Sequence, residues 1–163
     1  SLYCWRWGYC HISMQSVYME AALELAREAA AEGEVPVGAI IVRGSEIIST
    51  GRNRREESQN ALTHAEIEAI NGVCKVVGSW RLIDCDMYVT LEPCPMCAGA
   101  VINSRIKRLF FGAYDPKAGC CGSVTDIFSM PFNHKPEIVG GIMEKECARE
   151  LTDFFTELRK LKK

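Results

Sequence analysis

The chain has no uninterrupted apolar run approaching the roughly 20 residues that a membrane-spanning helix requires. It also lacks a strong charge of either sign: 19 Lys and Arg against 21 Asp and Glu leave a formal net charge of −2, which excludes a generic polyanion binder. No second Cys-x-x-Cys pair accompanies Cys94 and Cys97, so a four-cysteine zinc ribbon cannot be assembled. The first 16 residues, SLYCWRWGYCHISMQS, lack the basic region, apolar core and small-residue cleavage site of a secretory leader. Cys4 stands six residues before Cys10 rather than three, so Cys10-His11 does not form a haem-attachment motif.

What is present is ordinary for a globular protein: 163 residues, 48% hydrophobic and 25% charged, enough for one domain with a full core. A soluble chain with no membrane partner is expected. The nine cysteines are an odd number, unevenly spread, in a chain that needs no staples, which favours a reducing cytoplasm over a disulfide framework. Cys85, Cys120, Cys121 and Cys147 lie in or beside apolar or Gly-rich stretches and are expected to be small buried hydrophobes. Residues 1–16 read as an extension, with Met14 a candidate start, and residues 17–163 as a single domain. Basic clusters occur at 52–55 (RNRR), 103–108 (NSRIKR) and 158–163 (LRKLKK), each read first as a solvated face.

Periodicity predicts an amphipathic helix over 16–31, ended by Gly33, then strands at 37–42 and 47–50 joined by the turn RGSE as an antiparallel hairpin. A short helix over 63–70 carries a capping-box pattern, Thr63 with Glu66, and is expected to stop at Asn71-Gly72. Strands follow at 87–91, 108–113 and, more weakly, 137–141, with helices at 94–102 and 144–161. A hairpin followed by alternating strands and helices predicts an α/β fold, a mixed five-stranded sheet covered on both faces in three α/β/α layers.

The stretch TLEPCPMCAG (90–99) carries the first chemical signal. Cysteines three apart at a helix start share a face, and the positive end of the helix favours thiolate, the form that binds metal. A redox dithiol is the competing reading, but that motif belongs near the start of a thioredoxin-like unit, not two-thirds of the way along after a hairpin. Thirty residues upstream, THAEIEA supplies His64 and Glu66. Either residue alone has an ordinary reading, as a satisfied histidine or a capping carboxylate. One His with two thiolates makes three protein ligands and leaves a fourth position open, the pattern of catalytic zinc; a nearby carboxylate that is not a ligand can then move protons. A zinc-stabilised RNA-binding module without catalysis has no use for that carboxylate.

His-x-Glu followed by Pro-Cys-x-x-Cys, here HAE (64–66) and PCPMC (93–97), resembles the signature of the zinc nucleobase deaminases. The chain further resembles the bacterial tRNA-specific adenosine deaminase family through EVPVGAIIV (34–42), RLIDCDMYVTLEPCPMCAGAVINSRI (81–106), FGAYDPKAG (111–119) and DFF (153–155). The resemblance implies a cytidine deaminase-like fold, one zinc per subunit held by His64, Cys94 and Cys97, proton transfer by Glu66, and substrate contacts from Asn53 and Asp115. It implies hydrolytic conversion of adenosine to inosine at wobble position 34 of a tRNA anticodon loop by a cytoplasmic homodimer. Deamination of free guanine, cytidine or deoxycytidylate is the alternative. Asn53 and Asp115 can also be read as turn residues, and Tyr114 stands where that family often has a basic residue.

Overall fold

A computed structural model describes residues 13–162; the readings made above for residues 1–12 lie outside the described residues. The chain runs α1 (Met14–Ala31), β1 (Gly38–Arg43), β2 (Glu46–Arg52), a single-turn α2 (Arg55–Ser58), α3 (Ala65–Val77), β3 (Cys85–Leu91), α4 (Pro95–Asn103), β4 (Arg108–Ala113), β5 (Glu137–Val139) and α5 (Glu144–Leu161). The five strands form one sheet in the order β2-β1-β3-β4-β5. β1 is antiparallel to both β2 and β3, whereas β3, β4 and β5 run parallel. The expected mixed sheet with an opening hairpin is therefore found.

Alternate residues of the central strands feed opposite cores, as the two-residue period of a strand dictates. Ile41, Met87, Val89, Leu109 and Phe111 face Ala69, Val73 and Val101 on one side. Ile40, Val42, Tyr88 and Phe110 face Met19, Leu23 and Cys147 on the other. Helices α3 and α4 thus cover one face, and α1 and α5 the other, giving three α/β/α layers. Because β1, β3 and β4 are buried on both faces, they read as nearly continuous apolar runs.

Glycines set how closely the layers approach. A Cβ on Gly51 of β2 would lie 2.7 Å from the Ala69 nitrogen and closer still to the Ala65 carbonyl oxygen, so α3 rests directly on the strand backbone. Gly38 of β1 meets α1 in the same way, 2.7 Å from the Ala26 nitrogen.

Several boundaries differ from the sequence reading. Helix α1 begins at Met14, because Ser13 caps it by accepting from the Ser16 amide. Helix α3 runs through Asn71-Gly72 to a left-handed Gly78. Gly72 sits in mid-helix because Ser49 Oγ would be 2.5 Å from any Cβ there; close packing, not termination, explains it. The last strand stops at Val139, since Gly140 packs on the Phe111 ring and Gly141 takes φ 82°. Cys85, Cys120 and Cys147 are buried as expected, while Cys121 is only half-buried.

Candidate functional site

Two helix N-termini converge beyond the C-terminal end of β3. His64 is the N-cap of α3, with extended backbone (φ −78°, ψ 154°), and Cys94 is the N-cap of α4 (φ −73°, ψ 174°). Neither residue is held as a capping side chain, and the two side chains meet in a common space. The Thr63–Glu66 capping box expected from the sequence does not form. Thr63 Oγ1 donates to the Asn60 carbonyl at 2.5 Å, and Glu66 is buried beside Cys97 instead of returning to the Thr63 amide.

His64 Nδ1 lies 3.6 Å from the sulfur of Cys94 and 3.6 Å from that of Cys97. The three donor atoms fall within 4.8 Å of one another. A tetrahedral zinc with bonds of about 2.3 Å to sulfur and about 2.0–2.1 Å to nitrogen has N···S edges of about 3.6 Å. The donor set therefore fits zinc in both chemistry and spacing. These three are the group of candidate metal donors found among the described residues, one fewer than a closed structural site requires.

Electrostatics around the cluster are strongly polarised. The Cys94 thiol is pushed down to about 4, first by a hydrogen bond from Cys97, against the cost of burial, and then by His64. Cys97, donating to Cys94 and deeply buried, is pushed up. His64 is raised chiefly by its bond to Cys94, which outweighs burial. Burial is the main cause that raises the Glu66 carboxyl. The positive ends of α3 and α4 act in the same direction as His64, favouring thiolate at Cys94.

Above this cluster opens a cavity of about 210 Å³. Its lining includes His64, Glu66 and Cys94 together with Asn53, Arg55, Glu92 and Asp115, and the apolar Val37 and Leu91. The structure thus brings all six residues singled out in the sequence to one place, with Cys97 buried beneath Cys94. Asn53 and Asp115 also serve their turns. Asn53 Oδ1 accepts from the Arg55 amide (3.2 Å) and its Nδ2 donates to the Val35 carbonyl (3.4 Å). Asp115 Oδ1 accepts from the amides of Lys117 (3.0 Å) and Ala118 (3.3 Å).

Two site residues escaped the sequence reading. Arg55 lines the cavity although it belongs to a cluster read as a solvated face; its nearness to Asn53 was the available signal. Glu92, two residues before Cys94, is buried at 2% exposure and drew no notice because a single carboxylate in a loop carries no pattern. Other basic residues are occupied elsewhere. Arg52 pairs with Glu32 (2.6 Å), Arg54 with Glu68 (2.7 Å), and Arg108 with both oxygens of Asp86 (2.9 and 2.7 Å). Phe154 and Phe155, edge to face at 5.4 Å, lie outside both cores, and Phe155 is exposed. Tyr114 is half-exposed, its ring edge-on to Phe111 at 5.1 Å. No helix among the described residues is long and apolar enough to cross a membrane.

Comparison with known proteins agrees with this geometry. The tRNA-specific adenosine deaminase of Bacillus subtilis (strain 168) is 47% identical over 153 residues, covering 93% of this chain and 95% of the relative. That of Agrobacterium fabrum is 44% identical over 143 residues, covering 87% and 94%. A solved structure from studies of A-to-I editing by tRNA:A34 deaminases at the wobble position of transfer RNA shares 43% identity and a TM-score of 0.81, covering 83% of this chain and 99% of that one. A guanine deaminase from Bacillus subtilis is more distant in shape, with 37% identity, a TM-score of 0.61 and 74% of each chain covered. The fold is cytidine deaminase-like. Residues 13–159 match the family described as MafB19-like deaminase, and with such relatives along nearly its whole length the chain belongs to that family, among the tRNA-specific adenosine deaminases.

Proposed function

We propose that the protein hydrolyses adenosine to inosine and ammonia at wobble position 34 of a tRNA anticodon loop, with one zinc per subunit held by His64, Cys94 and Cys97. The observation that carries the reading is a buried Glu66 set beside three zinc-type donors, two of which line a cavity of about 210 Å³. That volume is below the range of drug-sized sites and suits a single extruded base. The tRNA-specific relatives and the tRNA:A34 deaminase structure support the RNA substrate.

His64, Cys94 and Cys97 would hold the zinc, which would lower the pKa of a water there toward about 7. Glu66 takes the proton of the attacking water and passes it to the ring nitrogen N1 as oxygen bonds to C6. It next takes the remaining proton from the hydroxyl at C6 and delivers it to the exocyclic amine, the C6–N bond breaks, and ammonia leaves a carbonyl behind. Burial raises Glu66, which makes its protonated form accessible and suits a group that must both accept and return a proton. His64 and the two thiolates stay fixed, and the apolar Val37 and Leu91 limit water around the base. Asn53, Arg55 and Asp115 line the space that the base would enter. Anticodon-loop bases are unpaired, so extrusion costs little, and affinity falls with added salt because phosphates are contacted. The reading includes a cytoplasmic homodimer, expected from the family resemblance.

The test is turnover of an anticodon stem-loop with adenosine at the wobble position, beside free adenosine, cytidine and guanine. Inosine in the RNA alone is expected; turnover of free guanine or cytidine instead would replace the substrate and keep the chemistry. Glu66→Gln should retain zinc and fold while lowering kcat by roughly 10²–10⁴-fold, and near-normal turnover by that variant would refute the proton-transfer role.

A further inference from the structure

Resting on that reading of the site, we infer that Glu92 is a positioning residue for substrate binding: its buried carboxylate holds the 115–123 loop, and with it Asp115, against the cavity. The carboxylate is sequestered at 2% exposure, and among the described residues no cation pairs with it. Its negative charge is met wholly by donors from one loop. Oε1 accepts from the Asp115 amide at 3.0 Å and from the Ser123 hydroxyl; Oε2 accepts from the amides of Cys121 at 2.9 Å and Ser123 at 3.2 Å. A buried carboxylate ringed by backbone amides is an anion in a nest, and it orders the chain that makes the nest.

Further contacts fix where that nest stands. Glu92 itself is anchored at the end of the sheet, its own amide donating to the Ala113 carbonyl at 2.8 Å. The loop closes over it at Gly119, where any Cβ would overlap the carboxylate. The Cys120 amide donates to the Pro93 carbonyl at 2.9 Å, joining the loop to the segment between Glu92 and Cys94. Asp115 and Ala118, which line the cavity as Glu92 itself does, are thus placed through Glu92. Three facts combine here: near-complete burial, four donors spanning the loop, and loop residues in the lining of the cavity. A capping or solvated glutamate would show none of them together.

Glu92→Gln keeps the shape but turns one oxygen into a donor facing donors, so half of the nest is lost. In zinc-loaded protein acting on the stem-loop substrate, KM should rise roughly tenfold, the effect of losing a charge-assisted bond to a binding loop, with kcat within about twofold of wild type. Zinc content should remain one per subunit, and the amides of Asp115, Cys121 and Ser123 should exchange with deuterium faster than in wild type. Ser123→Ala, which removes only the hydroxyl bond, should move KM and exchange in the same direction by less, and it serves where Glu92→Gln does not fold. Loss of zinc with KM unchanged would show that Glu92 acts through Cys94 and overturn the proposal, as would unchanged exchange at the three amides. Inactivity of wild type on the stem-loop would count against the substrate reading alone, because the exchange measurement is independent of turnover.

Discussion

Gly51→Ala tests whether the metal centre depends on how closely α3 lies on the sheet. An ordinary contact with a Cβ begins at 3.4 Å, yet the Ala69 nitrogen would be at 2.7 Å, so α3 must retreat by at least 0.7 Å, and further to clear the Ala65 carbonyl. The neighbouring atoms are backbone and cannot swing aside. Overpacking of this kind costs about 1–3 kcal/mol, or a fall in Tm of roughly 3–10 °C for a domain of this size. Ala65 follows His64 directly, so the shift is passed to the imidazole, whereas metal ligands tolerate displacements of only about 0.2 Å. Gly38→Ala is the matched control. Its Cβ meets Ala26 of α1 at the same 2.7 Å, but α1 carries none of the proposed ligands. Both variants should lose comparable stability in a thermal melt, and only Gly51→Ala should emerge from gel filtration with a large deficit of zinc. Full zinc in Gly51→Ala at wild-type Tm, or equal zinc loss in Gly38→Ala, would refute the reasoning.

Removing the metal should expose a thiolate at one cysteine. Cys94 is held down to about 4, chiefly by the Cys97 hydrogen bond, so after chelation it remains charged at every pH above that and should react with iodoacetamide at nearly the same rate at about pH 6 and pH 8. An ordinary thiol titrates near 8.5 and would slow by tens of times over that interval. Cys85 and Cys147, pushed up by burial to about 11 and about 12, should stay unlabelled, as peptide mapping will show. A steep fall in Cys94 labelling toward pH 6 would contradict the assigned polarity. Asn53→Ala removes an acceptor for the Arg55 amide and a donor to Val35. At about 0.5–1.5 kcal/mol for each bond, kcat/KM on the stem-loop should fall roughly 10- to 100-fold with zinc retained; steady-state kinetics at the wild-type value would remove Asn53 from the site.

Much of this protein was legible from local pattern. The near-continuous apolar runs of β1 and β3, the hairpin turn at Gly44-Ser45, the amphipathic terminal helix and the donor spacing Cys94-x-x-Cys97 all depend on neighbours a few residues away, where chain geometry is the only constraint. Local signals misled where a tertiary contact competed for the same group. Thr63 and Glu66 spell a capping box, but Glu66 is drawn into the site; Asn71-Gly72 spells a helix end, but Gly72 is there to let Ser49 pass. Arg52, Arg54 and Arg108, read as parts of solvated basic faces, are tied to Glu32, Glu68 and Asp86, partners that no local pattern names. Local residue pattern was enough to specify most of the elements, their faces and the kinds of donor available. It took the folded arrangement to bring His64 and Cys94, 30 residues apart, to two helix N-termini 3.6 Å from each other, and to set Glu92 under a loop reaching to Ser123, 31 residues on. Those meetings are set by sheet order and by backbone contact at glycine, and no spacing along the chain encodes either.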